Sequence, residues 1–238
     1  MLFYANLVAL QQSVIDTYRH AVRTSAAFAE ALDFESAADA MPSLLSGLLR
    51  IAPPPVVAAA THILEAGHAE WRHLVHTYWD GARDGDPLRA FLAEALLQPF
   101  AEFVSTSVRV THQAPDEDIA RVCPVCGDRP VVAVLHEAAH STRRSLVCGF
   151  CAKEWAAPRI ACVACGEREF DKLAIYHAEE LPGTRVDVCE TCHTYVKTID
   201  LAKDGTAIPI VDDLATLALD LWARERGYQR IRANLLRL

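Results

Sequence analysis

The chain has 238 residues, of which 52% are hydrophobic, enough apolar material for one large or two small folded domains. This composition excludes a chain that is mainly disordered. The 31 acidic residues outnumber the 23 lysines and arginines and give a formal charge of −8, and no segment is strongly basic. The charge therefore argues against a protein whose main task is to coat the phosphate backbone of a nucleic acid.

Charges and prolines interrupt every long hydrophobic stretch. The best candidate for a membrane span, residues 44–60, contains Arg50 and three consecutive prolines, so we expect no integral membrane segment. The first ten residues are apolar but lack the basic start and the small-residue cleavage site of a secretory signal. We therefore expect a cytoplasmic protein, in which paired thiols bind metal or do redox chemistry more often than they form structural disulfides.

Residues 1–115 predict an all-α domain, with 22 alanines against four glycines. Apolar residues recur every three or four positions from Phe3 to Tyr18, which is typical of one face of a helix. Two further helices are predicted at 56–79 and 87–107, the second with Asp86 as its N-cap and with a kink or division at Pro99. The polar segment 111–118 predicts the end of this domain.

All eight cysteines follow, as four C-x-x-C pairs between Cys123 and Cys192. The first and third pairs are each followed by glycine, and the second and fourth are each preceded by valine, Val147 and Val188, so the pattern is duplicated. We predict two metal units, 119–160 and 161–200, each built from a cysteine turn, two strands and a second cysteine turn. The glycines fit a turn that needs a permissive backbone just after its second ligand.

A tetrahedral thiolate site requires four sulfurs about 2.3 Å from one cation, and each C-x-x-C turn supplies two of them. Because each repeat is self-contained, we predict two sequential sites; the interleaved arrangement, first pair with third and second with fourth, is the alternative. The predicted ligands are Cys123, Cys126, Cys148 and Cys151 for one ion and Cys162, Cys165, Cys189 and Cys192 for the other. Sulfur ligation accepts iron or zinc. Four ligands saturate the ion, which predicts a site without Lewis-acid catalysis.

Two other functions compete with closed metal sites. One is redox chemistry by an iron-thiolate site or by a dithiol such as Cys148 and Cys151. The other is a zinc-ribbon that binds nucleic acid, which the net charge of the cysteine region, ten basic against thirteen acidic residues, disfavours.

The last part, 208–238, predicts one amphipathic helix that ends at Gly227. Asp212 fits the N-cap of this helix, and the dipole at its first turn accounts for both Asp212 and Asp213. A pair of catalytic carboxylates is the alternative for these two residues.

The motifs taken together resemble the FdhE family of formate dehydrogenase accessory proteins. The resemblance covers residues 120–234 and extends more loosely into the helical region. The segments that carry it are Cys123-Pro-Val-Cys-Gly127, Leu146-Val-Cys-Gly-Phe-Cys-Ala-Lys-Glu-Trp155, Cys162-Val-Ala-Cys165, Cys189-Glu-Thr-Cys192 and Val211-Asp-Asp-Leu-Ala-Thr-Leu-Ala-Leu-Asp220.

This resemblance implies an α+β protein, in which an N-terminal all-α domain precedes two rubredoxin-like or zinc-ribbon-like units and a C-terminal helix. It implies that the eight cysteines hold two metal ions, with iron favoured over zinc. The implied role is non-catalytic: a cytoplasmic maturation factor binds the catalytic subunit of formate dehydrogenase before export by the twin-arginine route. Motif positions implied as candidates for partner binding are Glu154, Trp155, Tyr195, Lys197, Asp212 and Asp213.

Overall fold

The computed structural model describes residues 2–18, 33–81, 85–107, 121–139 and 141–235. The chain divides into two compact units, Met1–Val108 and Arg109–Leu238. The polar segment predicted as a boundary, 111–118, lies outside the described residues, so the domain bounds given by the sequence stay a prediction. None of the described helices combines the length and apolar character needed to cross a bilayer.

The first unit is helical, as predicted. Its described helices are α1 (Leu2–Tyr18), α2 (Phe34–Asp39), α3 (Met41–Ile51), α4 (Pro54–Ala66), α5 (His68–Trp79) and α6 (Pro87–Ser107). The apolar stripe predicted for the first helix supplies Leu7 and Val14 to the core, where they are buried together with Leu44, Leu48 and Leu96. Burial of these stripes is the main stabilising force of the unit.

Two details of the helical unit differ from the sequence prediction. The single helix expected at 56–79 is two helices, because Gly67 has φ +81, a backbone conformation that ends α4 and that L-residues with a side chain rarely adopt. The helix expected at 87–107 is undivided and continues through Pro99. Asp86 caps it as predicted, since its Oδ1 accepts a hydrogen bond from the Leu88 N–H at 2.9 Å.

The second unit contains one continuous sheet. Its strands are β1 (Pro130–Ala138), β2 (Ser141–Cys148), β3 (Glu154–Ala157), β4 (Leu173–His177), β5 (Thr184–Cys189), β6 (Thr194–Asp200) and β7 (Gln229–Arg230). The strand order is β3-β2-β1-β6-β5-β4, and β7 also pairs with β6. Both cysteine repeats thus share a sheet: the first supplies β1 to β3 and the second supplies β4 to β6.

A parallel pairing joins the two repeats. Within each repeat all strand pairs are antiparallel, but β1 and β6 run parallel, from Val132 opposite Lys197 to Leu135 opposite Asp200. The short β7 also pairs with β6 in parallel, and its Gln229 lies opposite Thr194. The sequence predicted four strands of this sheet and missed three: β3 and β6, which follow the last cysteine turn of each repeat, and the short β7.

The C-terminal part forms two short helices instead of the one predicted: α7 (Pro209–Ala215) and α8 (Leu217–Glu225). The break falls at Thr216, whose hydroxyl donates to the Asp212 carbonyl at 2.7 Å. The neighbouring Asp213 carbonyl accepts a hydrogen bond from Lys197 Nζ. In a continuous helix this carbonyl would instead accept from the N–H four residues later. Gly227, which has φ +84, follows α8 and ends the helical segment, as predicted.

The two helices cover one face of the sheet. Leu219 and Ala223 of α8 pack against Val186, Val188 and Tyr195. A second cluster comprises Val131, Val132, Val134, Val147 and Ile199, against which Ile210 of α7 packs. Apolar burial on this face therefore holds the C-terminal helices to both repeats.

Candidate metal centres

The first group of cysteines lies where β1 begins and β2 ends. Cys123 and Cys126 lie in the turn before β1, Cys148 ends β2, and Cys151 lies in the turn before β3. The Sγ atoms of Cys123 and Cys151 are 3.6 Å apart, and those of Cys126 and Cys148 are 3.4 Å apart. The two turns therefore face each other, and all four sulfurs lie within 4.8 Å of one another.

The second group repeats this arrangement: Cys162 and Cys165 precede β4, Cys189 ends β5, and Cys192 lies in the turn before β6. The Sγ atoms of Cys162 and Cys192 are 3.7 Å apart, as are those of Cys165 and Cys189. The Thr194 hydroxyl lies 3.0 Å from the Cys192 sulfur. Among the described residues these are the two groups that could hold a metal ion, and their membership is the sequential one that the duplicated sequence predicts.

Each of the four cysteine turns ends with a residue in the left-handed region. Gly127 and Gly166 have φ +76 and +87, at the positions where the sequence predicted a permissive backbone. Ala152 and His193 occupy the same place in the other two turns, with φ 53 and 52, although they carry a Cβ. The same turn geometry is therefore enforced four times, twice against the conformational preference of the residue.

Backbone N–H groups point at the leading sulfur of each turn, including Cys189, which accepts from the N–H groups of Thr191 and Cys192. Cys123 accepts from the Val125 N–H, Cys148 from the Phe150 N–H and Cys162 from the Ala164 N–H, each at 3.4 Å. Such hydrogen bonds stabilise a thiolate over a thiol. The turns therefore favour the ionised form of sulfur, which is the form that binds metal.

The four sulfurs of each group fit a tetrahedral cation. With a metal–sulfur distance of about 2.3 Å, the edge of the sulfur tetrahedron is about 3.8 Å, close to the 3.4–3.7 Å separations observed. Thiols alone cannot all ionise this close together: hydrogen bonds from Cys126 and its neighbours lower the pKa of Cys123, while hydrogen bonding to Cys123 raises the pKa of Cys148. A divalent cation removes this conflict, and zinc and iron both accept four thiolates.

The two groups differ in their exposure to solvent. In the first group Cys123, Cys148 and Cys151 are buried and Cys126 is partly exposed. In the second group Cys162 and Cys189 are buried, but Cys192 is partly exposed and Cys165 is exposed. The same set of ligands is therefore enclosed in one repeat and accessible from solvent in the other.

Four of the six candidate positions for partner binding are buried. Trp155 in β3 is 4% exposed, Tyr195 1%, Lys197 0% and Asp213 1%. Trp155 and Tyr195 are each preceded by a cysteine turn, and each lies in a strand that the sequence analysis did not predict. Because these side chains are enclosed, partner binding through them would require the unit to open, and their role in binding stays a prediction.

Lys197, Tyr195 and Asp213 belong to a buried ion cluster that links β6 to the C-terminal helices. Lys197 Nζ lies 3.1 Å from Asp213 Oδ1 and 2.6 Å from Asp220 Oδ2, and the Tyr195 hydroxyl donates to Asp220 Oδ1 at 2.8 Å. Arg230 contacts both carboxylates and the Val131 carbonyl. Two cations thus balance two anions in the interior, as buried charges require.

Neither Asp220 nor Arg230 was predicted from the sequence as a functional residue. They come from α8 and β7, so no local motif connects them to Lys197. The signal was the alternation in β6, which places Lys197 on the same face as Tyr195 and therefore toward the core.

The other two candidate positions are less enclosed. Glu154 is exposed, and its carboxylate lies 2.6 Å from His136 Nε2. Asp212 accepts a hydrogen bond from the Ile208 N–H at 2.6 Å, so it caps α7 by reaching back from inside the helix. The predicted capping role of Asp212 is therefore present with a different geometry, since Ile208 occupies the N-cap itself.

Comparison with protein families gives two matches in the second unit. The model described as "FdhE, central domain" matches residues 122–159, and "FdhE, C-terminal domain" matches residues 160–237. A protein of Aquifex aeolicus named "Protein FdhE homolog" is 31% identical over 205 residues, which are 86% of this chain and 71% of that protein. A homologue of the same name from Haemophilus influenzae strain PittGG is 32% identical over 135 residues, which are 56% of this chain and 44% of that protein.

A solved structure supports the same relationship. The crystal structure of the FdhE protein from Pseudomonas aeruginosa superposes with a TM-score of 0.71 at 27% identity, over 98% of this chain and 86% of that one. The helical region, the mixed sheet and the two tetra-cysteine groups are therefore features of a known fold. On the combined evidence of sequence and structure, the chain belongs to the FdhE family.

Proposed function

We propose that this protein is a non-catalytic maturation factor that binds the immature catalytic subunit of a formate dehydrogenase in the cytoplasm, before the subunit is exported. The proposal combines membership of the FdhE family with the nature of the two cysteine groups. Four thiolates saturate a bound ion and leave no position at which a substrate could be activated. A binding role is the function that such closed sites support best.

The observation that carries this proposal is the position of the cysteine groups in the sheet. Each group ties the turn before the first strand of its repeat to the turn after the second, so a bound ion would fix the repeat around it. Each ion would have four cysteine sulfurs as its ligands. A bound ion would therefore hold the two turns of the repeat rigidly together. In this proposal the metal ions have a structural role: they fix the conformation of the surface that recognises the partner.

An iron-thiolate redox protein is the second candidate. The observation that favours it is the exposure of Cys165, which brings one sulfur of the second group within reach of an electron donor or acceptor. Zinc bound at this group would contradict electron transfer, because zinc has no redox chemistry. A ferric-thiolate absorption spectrum that bleaches reversibly on reduction would support it.

The test of the maturation role is co-purification with the catalytic subunit. The protein is produced anaerobically in iron-replete medium, its metal content is measured, and the tagged catalytic subunit from the same organism is used to capture it. We expect two metal ions per chain and a stable complex, with metal and complex both reduced in Cys123→Ala and Cys189→Ala. The matched control is Lys203→Ala, which removes an exposed side chain distant in sequence from every cysteine. Unimpaired capture of the metal-free protein would contradict the proposed role of the cysteine groups.

A further inference from the structure

A cleft lies beside the second cysteine group, on the face of the sheet opposite the C-terminal helices. Its lining includes Cys162, Cys189, Leu173, Ile175 and Phe170. In the pairing of β4 with β5, Ile175 lies opposite Asp187 and Leu173 opposite Cys189, so these side chains share one face. The intervening residues face the other way, toward α8.

The cleft is apolar and exposed at its mouth. Phe170 is 76% exposed, Ile160 55% and Ile175 47%. Single exposed apolar residues are common on protein surfaces, but three around one cleft form a patch of the kind found at interaction sites. This patch therefore has the chemistry to hold apolar side chains of another molecule.

An unpaired strand edge borders the cleft. Among the described strands, β4 pairs with β5 alone, so the other edge of β4 is free to accept hydrogen bonds. The strand reads Leu-Ala-Ile-Tyr-His, without the lysine or proline that commonly protects an edge. Such an edge can accept an extended segment as an additional strand.

The charged residues at the cleft indicate the charge of the group that binds there. Arg144 is buried and donates to the Ala161 carbonyl at 3.0 Å, and it shares Asp187 with Arg185. Arg144 is 3% exposed and its guanidinium pairs with Asp187, so its charge is used inside the protein. Arg159 lines the cleft, is exposed, and has no ion-pair partner among the described residues. A carboxylate is the complementary group for it.

We infer that this cleft and the β4 edge bind an extended segment of the partner protein, with an apolar side chain in the cleft and an aspartate or glutamate on Arg159. The inference rests on the proposed function, since it names the surface that would recognise the catalytic subunit. Main-chain hydrogen bonds to β4 would supply affinity, and the apolar and acidic side chains would supply specificity. Neither cysteine group needs to lose its metal for this binding.

The test uses the metal-loaded protein, the catalytic subunit and a set of overlapping short peptides that tile that subunit. Binding of both probes is measured to the parent chain, to Phe170→Ala and to Arg159→Glu. We expect each variant to weaken binding by about tenfold or more. The control is Arg143→Glu, the same charge change at an exposed position of β2, which should leave binding within about twofold of the parent. Because Phe170 is exposed, its truncation should not alter folding, and thermal unfolding verifies this.

A photo-crosslinking amino acid at Phe170 provides a second readout, with Leu221 of α8, 53% exposed, as the control site. We expect crosslinks from position 170 to one segment of the subunit that contains an acidic residue, and none from position 221. If the subunit binds both variants as tightly as the parent chain and crosslinks equally from positions 170 and 221, the docking surface is overturned and the proposed function stands. Binding of peptides but not of the subunit, with the expected loss in both variants, would support the surface and contradict the proposed function.

Two outcomes would overturn the inference from other directions. If neither the subunit nor any peptide binds, the surface and the proposed function are both wrong. If the chain instead forms a dimer whose association is lost in Phe170→Ala, the β4 edge binds a second copy of this chain, and the assigned occupant is wrong.

Discussion

The two cysteine groups have the same ligands and turns but different surroundings. In the first repeat three of the four cysteines are buried, whereas in the second repeat Cys165 is exposed and an apolar cleft borders the group. Duplication conserved the geometry of the sulfurs, because each turn must place them around one ion. The surroundings of the sulfurs differ between the repeats: the first group is enclosed, and the second is accessible from solvent.

The C-terminal segment contacts equivalent positions of both repeats. In the second cysteine turn of the first repeat, the residue after the first cysteine is Gly149, and a Cβ there would clash with the Arg232 side chain. In the second repeat the equivalent residue is Glu190, whose carboxylate accepts a hydrogen bond from the Tyr228 hydroxyl at 2.6 Å. The same segment therefore packs over one turn and is hydrogen-bonded to the other.

The largest expected effect is the difference in stability between the loss of a buried cysteine ligand and the loss of an exposed one. Cys148→Ala removes a buried sulfur at the end of β2 and should lower the metal content by one ion per chain and the free energy of unfolding by about 4 kcal/mol or more. Cys165→Ala should lower the metal content equally and the free energy of unfolding by clearly less, because Cys165 is exposed. Metal analysis and urea unfolding measure both quantities. Equal destabilisation would mean that the enclosure of the first group does not matter.

The second prediction concerns the ion cluster that holds the C-terminal helices to β6. Lys197→Met leaves Asp213 and Asp220 buried with one cation in place of two, which should cost about 3–5 kcal/mol. Lys203→Met is the control, since Lys203 is exposed and its nitrogen lies 3.9 Å from Asp200; we expect a change of about 0.5 kcal/mol or less. Urea unfolding of the metal-loaded chains provides the comparison. A stable Lys197→Met variant would show that apolar packing alone holds these helices.

A smaller effect is expected from the two contacts of the C-terminal segment. Gly149→Ala forces Arg232 away from its position, where its Nε lies 2.7 Å from Asp128, and should cost about 1–3 kcal/mol. Glu190→Ala removes a hydrogen bond from Tyr228 and should cost about 0.5–1.5 kcal/mol. Thermal unfolding of both variants tests this order. The reverse order would place the tighter contact of the segment in the second repeat.

The smallest expected effect is kinetic. A chromogenic chelator added to the native metal-loaded protein should remove the ion from the second group about tenfold faster than from the first, because Cys165 is open to attack. The release trace should show two phases of equal amplitude, and Cys165→Ala should remove the fast phase. A single phase that accounts for both ions would contradict the difference between the groups.

The sequence predicted the cysteine groups because their geometry is local. Each C-x-x-C turn places two sulfurs without help from the rest of the chain, and the order of the repeats favours pairing within each one. The helical character of the first unit was also predictable, because the apolar positions of α1 recur with helical spacing. Gly67 contained the signal for the break between α4 and α5, but its significance lies in its positive φ, which the residue type alone does not fix.

The sequence could not predict the joining of the repeats into one sheet. The pairing of β1 with β6 connects segments far apart in the chain, and no local pattern specifies it. The break at Thr216 has the same cause, since it depends on Lys197 from β6 reaching the Asp213 carbonyl. Long-range contacts thus determine the burial of Lys197 and Asp213, two residues that the sequence motifs indicated as candidates for partner binding.

The parallel pairing of β1 with β6 also constrains synthesis of the chain on the ribosome. When β1 and β2 have formed their hairpin, the edge of β1 that will receive β6 stays unpaired until translation passes Asp200. An open strand edge during this interval is a site for association with other nascent chains. Early filling of the first cysteine group, whose ligands are complete at Cys151, would fold β1 and β2 before the edge is needed and shorten the time in which the hairpin is disordered.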